Sequence, residues 1–496
     1  MRFFAFWGFI KMNILIVGNG FDLSHYLPTK YDHFMDVMGA IENWDVSKGE
    51  MNFDDLFGAL YEKESYFFGY TKAMYKTDEI KISVDQIKDL QEQLKDNVWY
   101  QYFSDHVKEV KTWIDFETKI EEALEIVCDF MDEIEIYSNK NNSLEKIISF
   151  LEGGKAKDYF LSQKSIRVLG LLKILDVEYK NLGIDFSSQV VGFDGDWNHS
   201  FSSLSESFLA KYKGYDDFLY KNVTKFLYKA LLNFSSIFCD YLKILDGLNT
   251  INNKLYVPVL ETINRVYSFN YTSTFLKVYR SDVQSYFLHG KINDQNKIVL
   301  GVSDLNNQIL RKFDLWGFTK YHQKLLLNTD YEFIEEYLLG NEEIKEELEL
   351  TRQFWLSKAA SGSGSVKLID QKIQRVLNEH NLDLNFHIWG HSLDYSDNTY
   401  IKELFSFNEP YDQGVRIVVY HYNSAQFDLL SNLIYILKKD KVENWMKKGW
   451  LRFEPNPNIA EINGIELIYA ELSGDFPLGD SRQPIYKSLR PFDLVS

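Results

Sequence analysis

The run Asn13-Ile14-Leu15-Ile16-Val17 leads directly into Gly18-Asn19-Gly20, and this junction limits the fold more than any other stretch of the chain. A strand with one wet face alternates apolar and polar residues. A short run that stays apolar is buried on both faces, as in a parallel sheet covered by helices. The glycine turn and the plausible helix after it are the expected sequel to a parallel strand. The junction therefore predicts an α/β fold with a mostly parallel sheet.

Downstream, from about 32 to 250, the period changes. Residues 53–75, 84–125, 142–152, 156–182 and 203–247 carry apolar side chains three and four apart and are predicted as helices; Ile120, Ala123, Leu124 and Val127 share one face. Residues 186–200 read as a loop between them. Strand patterns return at 264–270, 284–289, 297–302, 383–389 and 415–421, interrupted by a second helical stretch at about 306–358. The Gly/Ser run at 361–365 reads as a flexible loop or hinge, and the acidic stretch 341–350 as a solvated helix face. No repeat of fixed period is present. The expected organisation is a discontinuous nucleotide-binding α/β domain (12–35, 260–305 and 380–450), a helical insertion at 36–259 and a second at 306–379. Residues 451–496 receive no role.

With 45% apolar and 25% charged residues, the 496-residue chain has the balance of a globular protein and not of a disordered one. Its 54 Lys and Arg against 72 Asp and Glu leave a net charge of −18, which excludes a general nucleic-acid binder because duplex affinity rests on neutralising phosphates. No apolar run approaches the length of a membrane span. Cys128 and Cys239 lie far apart in apolar surroundings and read as two buried thiols of a reducing cytoplasm. Residues 1–11 (MRFFAFWGFIK) lack a small-residue cleavage site, and Met12 directly precedes the first strand. They read as an upstream start or extension and not an export signal, so a cytoplasmic location is expected.

Four motifs follow strand patterns. Gly18-Asn19-Gly20-Phe21-Asp22 closes the first strand, where backbone amides can approach a pyrophosphate; Leu23 stands where a hydride-transfer fingerprint needs its third glycine. Ser268-Phe269-Asn270-Tyr271 places an amide, both donor and acceptor, at a strand's carboxyl end. His289-Gly290 supplies a proton-transfer group. Gly390-His391-Ser392-Leu393-Asp394, followed by Asp397, offers contacts to a ribose or phosphate. Each alone also has a structural explanation: a tight turn, a strand end, a hydrogen-bonded histidine, an N-cap from Ser392 or Asp394.

Taken in order, with Pro28 eight residues after Gly20, the set resembles the sirtuin-type nucleotide site: Gly18, Gly20 and Pro28 match its first motif, Asn270 its second, His289 its third, and Gly390, Ser392 and Leu393 its fourth. Asp22, Ser268-Phe269 and His391 depart from it, and the zinc-binding cysteines of the deacylases are missing, which argues against protein deacylation. The segments GNGFDLSHYLPTKYDHF, WIDFE, SFNYTSTF, LHGKI and IWGHSLDYSD resemble the recurring motifs of the AbiH family of phage abortive-infection proteins. That family is similar to SIR2-like defence effectors, several of which hydrolyse NAD. The resemblance implies a Rossmann-like (SIR2-like) sheet with large helical insertions, an anti-phage role, and Asn270 and His289 as a catalytic pair.

NAD hydrolysis suits such residues, because the leaving nicotinamide departs neutral from an oxocarbenium-like transition state and needs no strong acid. The expected roles are Gly18, Asn19, Gly20 and Phe21 at the pyrophosphate and Ser268, Gly390, His391, Ser392 and Asp394 around ribose and phosphate. Asn270 is expected to orient ribose or water, and His289 to act as base or hydroxyl partner. Asp22 is expected to cap a helix, bind a ribose hydroxyl or face the developing cation. Glu117 is a second candidate acid, or with Trp113 a core anchor pair. His387 and His391 lie on a strand and turn, so no metal is expected. NAD as substrate, a phage-derived or co-encoded trigger and a homo-oligomer complete the expectation. The alternatives are a non-catalytic nucleotide or phage-component sensor and a nuclease-like effector, for which no paired-carboxylate motif is present.

Overall fold

The computed structural model describes residues 11–467 apart from 107–112, 142–160, 180–199, 213–214, 253, 293–296, 304–306, 331 and 363–365. The helix expected at 142–152, the loop at 186–200 except Ser200, part of the Gly/Ser run and the side chain of Trp113 lie outside the described residues.

Six strands form the central sheet: β1 (Met12–Val17), β2 (Arg265–Ser268), β3 (Gln284–Phe287), β4 (Leu384–Trp389), β5 (Arg416–His421) and β6 (Leu451–Pro455). Their spatial order is β3-β2-β1-β4-β5-β6, and every neighbouring pair is parallel. This is the Rossmann-like order, and it reverses direction between β1 and β4. The run at 13–17 is apolar because both faces are covered. Leu15 and Val17 pack into one core, while Ile14 and Ile16 pack into another with Phe386, Ile388, Ile417 and Val419.

The first core continues into helices between β1 and β2. Those that matter here are α1 (Asn19–Ser24), α2 (Tyr31–Glu42), α3 (Trp113–Asn141) and α4 (Tyr220–Asp246). Between β3 and β4 come α5 (Lys320–Leu327), then α6 (Glu335–Ala360) and α7 (Val366–His380), which pack together around a small core of their own. Helix α8 (Asn398–Leu404) follows β4, and α9 (Gln426–Leu437) follows β5.

Several elements differ from the sequence reading. Within 156–182 only Gln163–Leu171 is helical; Leu175–Tyr179 is a strand paired with Ser200–Leu204. The segment 203–247 opens with a ribbon of Leu209–Tyr212 and Tyr215–Phe218 before α4 begins. Of 297–302, Lys297–Ile298 pairs with Gly290–Lys291 and Val302 forms a single bridge with Thr319, both outside the main sheet. Helix α7 falls inside the second helical insertion expected at 306–379, beyond the helical pattern read at 306–358, and strand β6 was not anticipated. The residues of β6 are mostly wet, as befits an edge strand, and carry no continuous apolar run. Among the described residues no helix is long and apolar enough to cross a membrane. Cys128 and Cys239 are buried and free, and burial pushes both thiols up to about 12.

Candidate functional site

The sheet reverses direction where the glycine turn after β1 meets the turn after β4, and the two turns pack on each other. The Gly18 amide donates to the Trp389 carbonyl (3.1 Å), the Gly20 amide to the Gly390 carbonyl (2.9 Å) and the Phe21 amide to the Gly18 carbonyl (2.8 Å). A Cβ on Gly18 would sit 2.7 Å from the Gly390 oxygen, and one on Gly20 2.7 Å from the Gly390 Cα. Gly390 itself has φ of +73°, and a Cβ there would collide with the Phe21 nitrogen. These glycines are explained by backbone meeting backbone, and of the amides expected at a pyrophosphate those of Gly18, Gly20 and Phe21 are engaged within the protein. Phe21 is core, packed edge-on to Trp389. Asn19 opens α1, a helix of only six residues.

Beside this junction lies a buried polar patch. The Asn270 amide nitrogen donates to the Gly18 carbonyl (2.9 Å), tying the end of β2 to the end of β1. Thr272 donates to Asp22 Oδ2 (2.5 Å), while Asp22 Oδ1 has no hydrogen-bond partner. Burial lifts the Asp22 carboxyl to about 6, opposed by the hydrogen bond from Thr272 and by the nearby polar groups of Thr274 and Asn270. These residues and Ser268 line a cavity of about 10 Å³, room for one water. Ser268 is absorbed locally: its hydroxyl accepts from the Asn270 amide (3.1 Å) and donates to the Asn270 carbonyl (3.0 Å). His25, in the same motif as Asp22, bonds the Phe21 carbonyl and the Tyr279 hydroxyl (2.6 and 2.7 Å); burial lowers it to about 4, so it is neutral and structural.

On the other side of β2's end the chain gathers a second, more strongly charged group. Phe269 and Tyr271, the neighbours of Asn270, pack against the His289 ring, and Phe269 also meets His391 edge-on at 4.2 Å. The Asp397 carboxylate lies between the two imidazoles: Oδ2 is 3.4 Å from His391 Nε2 and Oδ1 is 4.0 Å from His289 Nε2. His391 Nδ1 accepts the Leu393 amide (2.9 Å), which puts the ring proton on Nε2, facing Asp397. His289 Nε2 is buried without a hydrogen-bond partner. Burial first, then Lys324 and Lys320, hold this imidazole well below its ordinary range, so it is neutral.

Helix α5 supplies those lysines. Thr319 caps it through the His322 amide, and Gln323 pins it by bonding both the amide and the carbonyl of Leu300. Lys320 and Lys324, one turn apart, therefore face inward, 7% and 8% exposed. Lys320 Nζ pairs with Glu117 of α3 at 2.6 Å, and Lys324 Nζ donates to the Tyr400 hydroxyl at 2.8 Å. Burial works against the Asp397 carboxylate, yet Lys320 and His391 hold it well below the usual range. Burial lowers Lys324 to about 8 and raises Glu117 to about 7, the latter helped by Asp397 and Asp394.

The structure thus brings His289, His391 and Asp397 together, with Glu117 over them, and holds Asn270 and Asp22 in the adjoining patch. Ser392 is not part of the group: it is exposed, and its carbonyl accepts from Asn432. Asp394 acts as a cap, accepting the Ser396 amide (2.9 Å), and reaches the site through its field alone. His387 lies apart, 3.3 Å from the Tyr420 hydroxyl. Among the described residues no three His, Cys, Asp or Glu are placed to hold a metal. Sequence reasoning missed Lys320 and Lys324. Their four-residue spacing was visible, but such a pair is ordinarily a wet helix face.

A doubly wound α/β protein with a buried ionisable cluster at the carboxyl edge of its sheet is the class that fold and site define. Its sequence places it further: a profile described as "Bacteriophage abortive infection AbiH" matches residues 14–421, and the chain belongs to the AbiH family. Membership indicates a role in abortive infection against phage. No curated protein and no solved structure matches the chain.

Proposed function

We propose that this abortive-infection protein is an effector that hydrolyses the nicotinamide–ribose bond of NAD. The observation that carries the reading is His289: a neutral imidazole with an unpartnered Nε2, buried among ionised groups at the ligand edge of a Rossmann-like sheet. An orphaned buried nitrogen costs a fold about 1–3 kcal/mol, and such sites are kept where a ligand completes them. In the reaction the C1′–N bond breaks, its electron pair leaving with neutral nicotinamide. A water oxygen bonds to C1′ and releases a proton. The one-water cavity beside Asp22 is the place for that water, and Asp22, ionised above about 6, accepts the proton. Asn270 orients the water or ribose, and His289 bonds a ribose hydroxyl.

The 10 Å³ cavity admits water and not a dinucleotide. The substrate enters when the cover of α3 and α5 parts, which suits a toxic activity held off until a phage-derived or co-encoded protein signals infection. The test is to follow cellular NAD and nicotinamide in infected cells carrying wild type, His289→Ala or Asp22→Asn. NAD is expected to collapse with wild type alone. Protection from phage with an intact NAD pool would overturn the reading and favour a nucleotide sensor, which binds without turnover.

A further inference from the structure

A dinucleotide brings a pyrophosphate, and the glycine turn usually assigned to it has the amides of Gly18, Gly20 and Phe21 engaged and its space filled by Gly390. Two buried positive charges stand on α5 beside the histidine cluster. Lysine is almost never this buried unless paired, yet Lys324 donates to a neutral phenol, with its ammonium also 4.6 Å from the Tyr400 ring centre. Lys320 has a carboxylate partner in Glu117, which comes from α3, an element remote in sequence. We propose that Lys320 and Lys324 form the pyrophosphate subsite and that Glu117 occupies it as an internal competitor. The identification of the ligand as a nucleotide rests on the reading above; the subsite itself does not.

Three features support the assignment. Two ammonium groups on residues one helical turn apart, on one face of α5, offer two positive charges to two linked phosphates. The lysines flank His289 and Asp397, the cluster where the ribose is placed. Glu117 is a poor permanent counterion: it faces Asp394 and Asp397 as well as Lys320, and its carboxyl is pushed up to about 7. A ligand phosphate, itself an anion, takes the place of Glu117 on Lys320 and keeps that ammonium paired, and displacement frees α3 from α5. A structural ion pair predicts the opposite behaviour on mutation, since removing one buried partner leaves the other uncompensated.

The experiment is calorimetric titration of the full chain with ADP-ribose, inorganic pyrophosphate and adenosine. Lys324→Met is expected to weaken both phosphate ligands about tenfold or more, with Lys324→Arg retaining them as a check on folding. Glu117→Gln is expected to tighten both by about threefold or more, the value of removing a competing carboxylate. Adenosine should respond to none of the variants. Pyrophosphate bound without ADP-ribose would mark a free-anion site and keep the subsite. The proposal is overturned if neither wild type nor Glu117→Gln binds a phosphate ligand, if Lys324→Met binds them as wild type does, or if Glu117→Gln leaves binding unchanged or weaker. NAD turnover with an unchanged KM in Lys324→Met would sink the subsite and spare the hydrolase; phosphate binding as described without nicotinamide release would do the reverse.

Discussion

Asp22 is a carboxylate held against its chemistry, 1% exposed, with one oxygen unpartnered and its carboxyl lifted by burial from 3.8 to about 6. The unfolded chain ionises this group first, so its influence on stability is favourable below about pH 4, declines as pH rises to about 6 and stays lost above. At about 1.4 kcal/mol per pH unit the whole loss is about 3 kcal/mol. Asp22→Asn keeps an acceptor for Thr272 and removes the ionisation. In urea unfolding the variant should match wild type near pH 4 and exceed it by up to about 3 kcal/mol at pH 8. Glu117 shifts in the same direction but is common to both proteins, so the difference isolates Asp22. Equal gaps at both pH values would show that Asp22 ionises freely in the fold.

At the scale of elements, the junction of β1 and β4 is the least forgiving place in the molecule. Gly390 combines φ of +73° with a Cβ position that runs into the Phe21 backbone, which no side-chain motion relieves. Gly449 shares a positive φ, +67°, but faces open space. Gly449→Ala should therefore cost only the left-handed penalty of about 1–2 kcal/mol, while Gly390→Ala adds backbone displacement and should cost about 4 kcal/mol or more, read as loss of soluble folded protein or of melting temperature. Equal effects would mean that the turns separate easily and that ligand access, not packing, explains the glycines. The same junction shows what was legible. The apolar run at Ile14–Val17 reported a sheet covered on both faces because burial of every residue leaves no alternation to read. The motif residues His289, His391 and Asp397 announced themselves by following strands. Strand β6 did not, because an edge strand keeps wet residues, and Lys320 and Lys324 did not, because only the packing of α3 and α8 against α5 turns a charged helix face inward. Ser392 misled for the converse reason: a motif position carries no information on which way its side chain points.

Considered as a whole, the molecule divides its apolar interior unevenly. The two large cores meet across the sheet, whereas among the described residues α6 and α7 fully bury Leu348, Ile369, Ile373 and Leu377, with Ile344, Trp355 and Val376 partly buried against them and Leu339, Leu350, Phe354 and Leu356 of α6 left exposed. The base of α6 is different, since Ile334 and Tyr337 belong to the core under the sheet. A segment with so little buried surface opens at a lower free energy than the sheet it is rooted in. Amide exchange should accordingly be faster over 344–360 and 366–378 than in β1 and β4. Ile373→Ala removes a buried side chain worth about 2–4 kcal/mol, and nearly all of that loss should appear as faster exchange within the hairpin, with the protection of β1 and β4 and the main melting transition unchanged. If protection instead fell uniformly across hairpin and sheet, α6 and α7 would be part of one cooperative unit with the site. Mechanical force or a partner acting on the hairpin would then be transmitted through Ile334 and Tyr337 to the strands that lead into Asn270 and His391.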